Sequence, residues 1–62
     1  MKDLRYFEQG DDYVILYDYT GDKKLPFLVE VKINGHRHEE RFERFSQACR
    51  AFNHVVITIK EV

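Results

Sequence analysis

The sequence predicts a small α+β domain: an antiparallel-dominated sheet in the order β-β-β-β-α-β, with one helix packed on one face. Three observations carry this reading. Phe27 to Ile33 alternates apolar and polar side chains, as a half-buried strand does. Asn34-Gly35 follows at once, and that dipeptide suits a two-residue hairpin turn needing positive φ at both central positions. Phe45, Ala48, Cys49 and Phe52 then fall at i, i+3, i+4 and i+7, the stripe of an amphipathic helix.

The other elements follow in chain order. Leu4 to Glu8 reads as a short strand, and Gln9-Gly10-Asp11-Asp12 as a turn in which Gly10 is free to take positive φ. Tyr13 to Tyr19 is rich in aromatic and β-branched residues and reads as a strand. Thr20 to Pro26 reads as a loop, because Pro26 cannot donate into a ladder. A two-residue turn at Asn34-Gly35 sets the next register: Ile33 opposite His36, Val31 opposite His38, Val29 opposite Glu40 and Phe27 opposite Phe42. It also sets Lys32 against Arg37 and Glu30 against Glu39, two like-charge pairs that are mildly unfavourable. A helix starting near Arg37 is the rival reading, since Phe42, Phe45, Cys49 and Phe52 also have helical spacing. The specificity of Asn-Gly favours the hairpin. Ser46 is the expected N-cap and Asn53 the expected stop of the helix. The β-branched run Val55 to Lys60 reads as a last strand.

Length and composition set bounds. With 62 residues, one domain spanning residues 1–62 is expected. A chain this short buries only about 60% of the surface its unfolded form exposes, so its stability margin is thin. The single cysteine, Cys49, rules out an intrachain disulfide and favours a reducing, cytoplasmic setting. No apolar run approaches a membrane span, and the opening MKDLRYFEQGDD lacks an apolar signal-peptide core. Net charge is −1, which gives no global attraction to nucleic acid or to an anionic membrane. The charge is uneven: residues 1–22 have a balance of −4 and residues 23–62 of +3. An acidic edge meeting a basic partner is one consequence to consider, against a mixed solvated surface.

Chemistry-bearing constellations are sparse. His36 and His38 share a strand face, and with His54 and Cys49 they invite a metal reading, but their spacing is not that of a closed zinc site. Cys49 lies on the apolar helix stripe, where a free cysteine acts as a small hydrophobe rather than a nucleophile. No glycine-rich phosphate loop is present. No catalytic residue, metal or cofactor is therefore expected, and no small-molecule substrate or membrane partner.

The aromatic pattern says more. Tyr13, Ile15, Tyr17 and Tyr19 share one strand face, and Val14 and Leu16 the other. One helix covers one face only. With Val14 and Leu16 under it, the tyrosines lie on the open face beside Leu28, Glu30, Lys32, Arg37 and Arg41. Tyrosine and arginine are enriched at binding hot spots, and such a face forms a sizeable apolar patch for so small a chain.

The run from Phe27 to Phe52 also resembles a known family. Its strand, Asn-Gly turn, second strand HRHEERF and helix FSQACRAF are similar in pattern to the end of the AP2-like arm-binding domain of phage-type integrases. The resemblance implies a sheet that enters the DNA major groove, backed by a helix. It covers less than half of the chain. The Tyr13–Tyr19 strand departs from it in having no Lys or Arg, and so does the expected strand after the helix.

The sequence is thus read as a non-enzymatic interaction domain. It binds a protein partner, or its own copy, through the uncovered aromatic face, with Tyr13, Tyr17, Tyr19, Lys32, Arg37 and Arg41 as partner-binding residues. Its size suits a regulator or inhibitor of the kind that phages and other mobile elements carry. The alternative is an AP2-like DNA binder using Lys32, Arg37 and Arg41 as phosphate contacts.

Overall fold

The computed structural model describes residues 2–18 and 24–61. Four strands, β1 (Lys2–Gln9), β2 (Asp12–Asp18), β3 (Phe27–Ile33) and β4 (His36–Phe42), form one sheet in sequence order, each antiparallel to its neighbour. The helix α1 (Phe45–Lys60) follows and packs on one side.

The β3–β4 hairpin matches the expected register from Ile33 opposite His36 to Phe27 opposite Phe42. Asn34 and Gly35 both have positive φ, 53° and 79°, the pair of left-handed residues that lets a two-residue turn follow strand twist. The Asn34 amide donates to the Asp12 carboxylate at 3.1 Å, which ties this turn to the neighbouring β1–β2 turn.

Three expectations about the helix are corrected. Val55–Lys60 is not a fifth strand: α1 continues through it to Lys60, so the order is β-β-β-β-α. Read as a strand, this run would place Val55, Ile57 and Ile59 on one face. Instead Val55, Val56 and Ile59 face the sheet, while Ile57 is 56% exposed and Thr58 points outward. That is the stripe of Phe45, Ala48 and Phe52 carried on at the same period. β-branched residues cost a helix little, and packing of the stripe outweighs that cost. Asn53 accordingly lies inside the helix and does not end it.

The N-cap is Arg44, not Ser46. The Arg44 carbonyl accepts from the Ala48 amide at 3.2 Å, and the Gln47 Oε1 accepts from the Arg44 amide at 3.2 Å. The Gln47 side chain, reaching back from the third helical position, thus satisfies the N-cap amide, as the N3 residue of a capping box does.

The core lies between α1 and the sheet. Val14, Leu16, Val29, Ala48, Phe52 and Ile59 are buried, with Phe7, Phe27, Val31, Ile33, Phe42, Cys49, Val55 and Val56 packed around them. Phe45 is less enclosed than its stripe position suggests, at 43% exposed. Its ring lies 5.6 Å from that of Phe27, and the Arg5 guanidinium lies 6.0 Å above it. At the other end of α1, Lys60 lies 5.6 Å from the Phe7 ring and Gln9 donates to the Ile59 carbonyl at 3.4 Å. The inward side chains of β1 thus hold both ends of the helix. Among the described residues no helix is long and apolar enough to cross a membrane.

Candidate functional site on the open sheet face

Placing Val14, Leu16, Val29 and Val31 beneath α1 fixes what the other face carries. Three rows cross the sheet from β1 to β4: Asp3–Tyr17–Leu28–Arg41, Tyr6–Ile15–Glu30–Glu39, and Glu8–Tyr13–Lys32–Arg37. Tyr13, Tyr17, Lys32, Arg37 and Arg41, expected together on the uncovered face, are together there. Tyr19 lies outside the described residues.

The β1 contribution is not assigned by sequence reasoning. Asp3, Tyr6 and Glu8 join the face because β1 begins at Lys2 and shifts register between Asp3 and Arg5. A bulge of this kind interrupts simple alternation, so Asp3 and Tyr6 share a face although three positions apart.

The two like-charge pairs of the hairpin are resolved diagonally. Arg37 opposes Lys32, but its Nη2 donates to Glu30 Oε1 at 3.2 Å and lies 3.4 Å from Glu39 Oε1. It therefore sits between the two carboxylates that face each other. The Tyr13 hydroxyl donates to the other Glu30 oxygen at 2.6 Å. Diagonal neighbours on an antiparallel pair are within reach of side chains this long. At the β1 edge, the Tyr6 hydroxyl donates to Glu8 Oε2 at 2.9 Å.

These contacts set the local electrostatics. The Tyr13 hydroxyl holds the Glu30 carboxyl below the usual carboxylate value; burial opposes it as the next largest effect, and the Arg37 guanidinium adds to the lowering. The same bond to Glu30 raises the Tyr13 phenol, and the bond to Glu8 raises that of Tyr6. The Tyr17 phenol is raised first by burial, then by the nearby charges of Glu30 and Asp3.

The face is less apolar than the strand pattern suggests. Tyr13, Ile15 and Tyr17 are each half-buried, and Leu28 is only 5% exposed. The wide apolar patch expected from the sequence is instead a compact strip of tyrosine and aliphatic surface between charged borders. Asp3 and Glu8, with Tyr6 between them, form one border, on β1; Arg37 and Arg41, with Glu39 between them, form the other, on β4.

The remaining candidates lie elsewhere. His36, His38 and Glu40 are exposed on the helix side of β4, where α1 leaves that strand uncovered. A shallow groove there is lined by Glu40, Phe42, Arg50, Ala51, His54 and Val55. Cys49 is a half-buried free thiol on the helix stripe. Among the described residues no group of three or more His, Cys, Asp or Glu side chains converges as a metal site requires. The chain matches no protein-family model, and comparisons with curated proteins and with solved structures returned no match.

Proposed function

We propose that the chain is a non-enzymatic interaction domain that binds a protein surface through the open face of its sheet, centred on Tyr17. The observation that supports this reading most is the arrangement of that face. An aromatic and aliphatic strip, crossed by Glu30 and Lys32, sits between an acidic border and a border of two arginines flanking Glu39, on a sheet whose other side is occupied by the only helix among the described residues. Recognition surfaces commonly combine such a centre with a polar rim. The Tyr13–Glu30–Arg37 network holds the side chains around Tyr17 in place before a partner arrives, which lowers the ordering cost of binding.

The DNA-binding alternative is disfavoured by the same rows. Lys32, Arg37 and Arg41 share the face with Asp3, Glu8, Glu30 and Glu39, and Arg37 already serves two carboxylates. Affinity for a phosphate backbone depends on uncompensated cations.

The experiment is a comparison of Tyr17→Glu with Arg50→Glu, which introduces the same side chain, with a charge change one unit larger, on the exposed side of α1. Both variants should keep the parent circular dichroism spectrum. Association with a partner, or with another copy, should be lost in Tyr17→Glu and kept in Arg50→Glu. Equal loss in both, or loss in Arg50→Glu alone, would move the binding surface away from the open face.

A further inference from the structure

We infer that the partner seated on the open face is a second copy of this chain, packed face to face about a two-fold axis parallel to the strands. This rests on the reading of that face as a binding surface and goes further by naming its occupant and geometry.

The argument is one of charge complementarity under symmetry. In a two-fold pair the same surface must be complementary to itself. Two in-plane axes are available to a sheet. An axis perpendicular to the strands lays β1 over β1 and reverses the rows, so Asp3 of one copy meets Glu8 of the other. Like charges then coincide at one edge, and Arg41 meets Arg37 at the other. An axis parallel to the strands lays β1 over β4 and keeps each row over itself. Asp3 of one copy then faces Arg41 of the second, and Glu8 faces Arg37. In the same two outer rows Tyr17 lies over the Leu28 position, itself only 5% exposed, and Tyr13 over Lys32, while in the middle row Ile15 lies over Glu30 and Tyr6 over Glu39. Each opposite-charge contact occurs twice, once on each side of the axis.

Packed sheets of this kind lie about 10 Å apart and cross at about 30°. The long Arg37 and Arg41 side chains can span the offset this creates at the corners. Arg37 already meets Glu30 and Glu39 through one nitrogen, Nη2, and its remaining N–H donors are what a third carboxylate would engage. Both Arg37 and Arg41 are exposed, as are Asp3 and Glu8.

The size of the face sets the strength. Four strands about 4.8 Å apart and about seven residues long give roughly 450 Å² of sheet per copy. That is below the roughly 800 Å² per partner of a standard stable interface, so the pairing is a weak, concentration-dependent one.

A charge-swap series measured by sedimentation equilibrium, from micromolar to millimolar protein, tests the geometry. The parent should self-associate. Asp3→Arg alone and Arg41→Asp alone should each dissociate about tenfold more readily, because each places like charges together twice. An equal mixture of the two variants should recover the parent affinity, since the mixed pair restores both contacts. Tyr17→Glu should be monomeric throughout. A monomeric parent at millimolar concentration would overturn the self-pairing and leave the face open to a different protein. A parent that pairs, with Tyr17→Glu pairing equally well, would overturn both this inference and the face assignment beneath it. Loss of pairing in Tyr17→Glu without rescue in the mixture would retain the face and overturn the strand-parallel axis.

Discussion

The Tyr13 hydroxyl stands 2.6 Å from Glu30, which meets Arg37 with its other oxygen, so one half-buried carboxylate joins three strands of the sheet. That relationship makes Glu30 the electrostatic pivot of the open face. It also makes the face sensitive to acid.

The folded-state pKa of Glu30 is lowered, so its stabilising contribution is present above the unfolded value, about 4.3 for a glutamate. It is lost as pH falls below that value and through the folded one. Thermal melts between pH 3 and pH 6, a range we choose to bracket about 4.3, should show a steeper acid limb for the parent than for Glu30→Gln. Superimposable slopes would mean that the Tyr13 and Arg37 contacts add nothing to stability in solution.

The helix assignment is tested at its far end. Ile59 is 1% exposed beneath α1, and Ile59→Ala should cost about 2–5 kcal/mol. Phe52→Ala should cost about 3–5 kcal/mol. In a domain this small either loss approaches the whole stability. Urea titrations in which Ile59→Ala matches the parent would detach the last turns of α1 from the sheet.

The hairpin turn gives a narrower forecast. Gly35 has a φ of 79° and open space where a Cβ would stand, so Gly35→Ala meets a backbone penalty without a clash. The cost should be about 1–2 kcal/mol. Asn34→Gly should change stability far less, since glycine accepts the same φ. A fully tolerated Gly35→Ala would indicate a different turn from the one described.

Legibility from sequence followed the strength of local rules. Asn34-Gly35 and the alternation from Phe27 to Ile33 are local signals, and the structure follows both to the residue. The separation of Tyr13 and Tyr17 from Val14 and Leu16 needed only the strand period and the presence of one helix. The tail failed because Val55 to Lys60 satisfies two descriptions. Its β-branched composition favours a strand, whereas its spacing continues the Phe45–Phe52 stripe. No glycine or proline follows Gly35, so no turn signal supported a break after Asn53. At the site, Asp3 and Tyr6 were hidden by the β1 bulge. The Glu30–Arg37 diagonal depends on side-chain reach, which pairing register alone does not give.

The central claim is that the open sheet face is the surface on which this chain binds. Amide chemical shifts recorded across a micromolar-to-millimolar dilution series test it residue by residue. Concentration-dependent shifts should gather at Tyr13, Tyr17, Leu28, Lys32, Arg37 and Arg41, with Arg50, His54 and Ile57 on α1 unmoved. Shifts confined to α1 and the groove beside β4, with Tyr17 and Leu28 unchanged at every concentration, would contradict it.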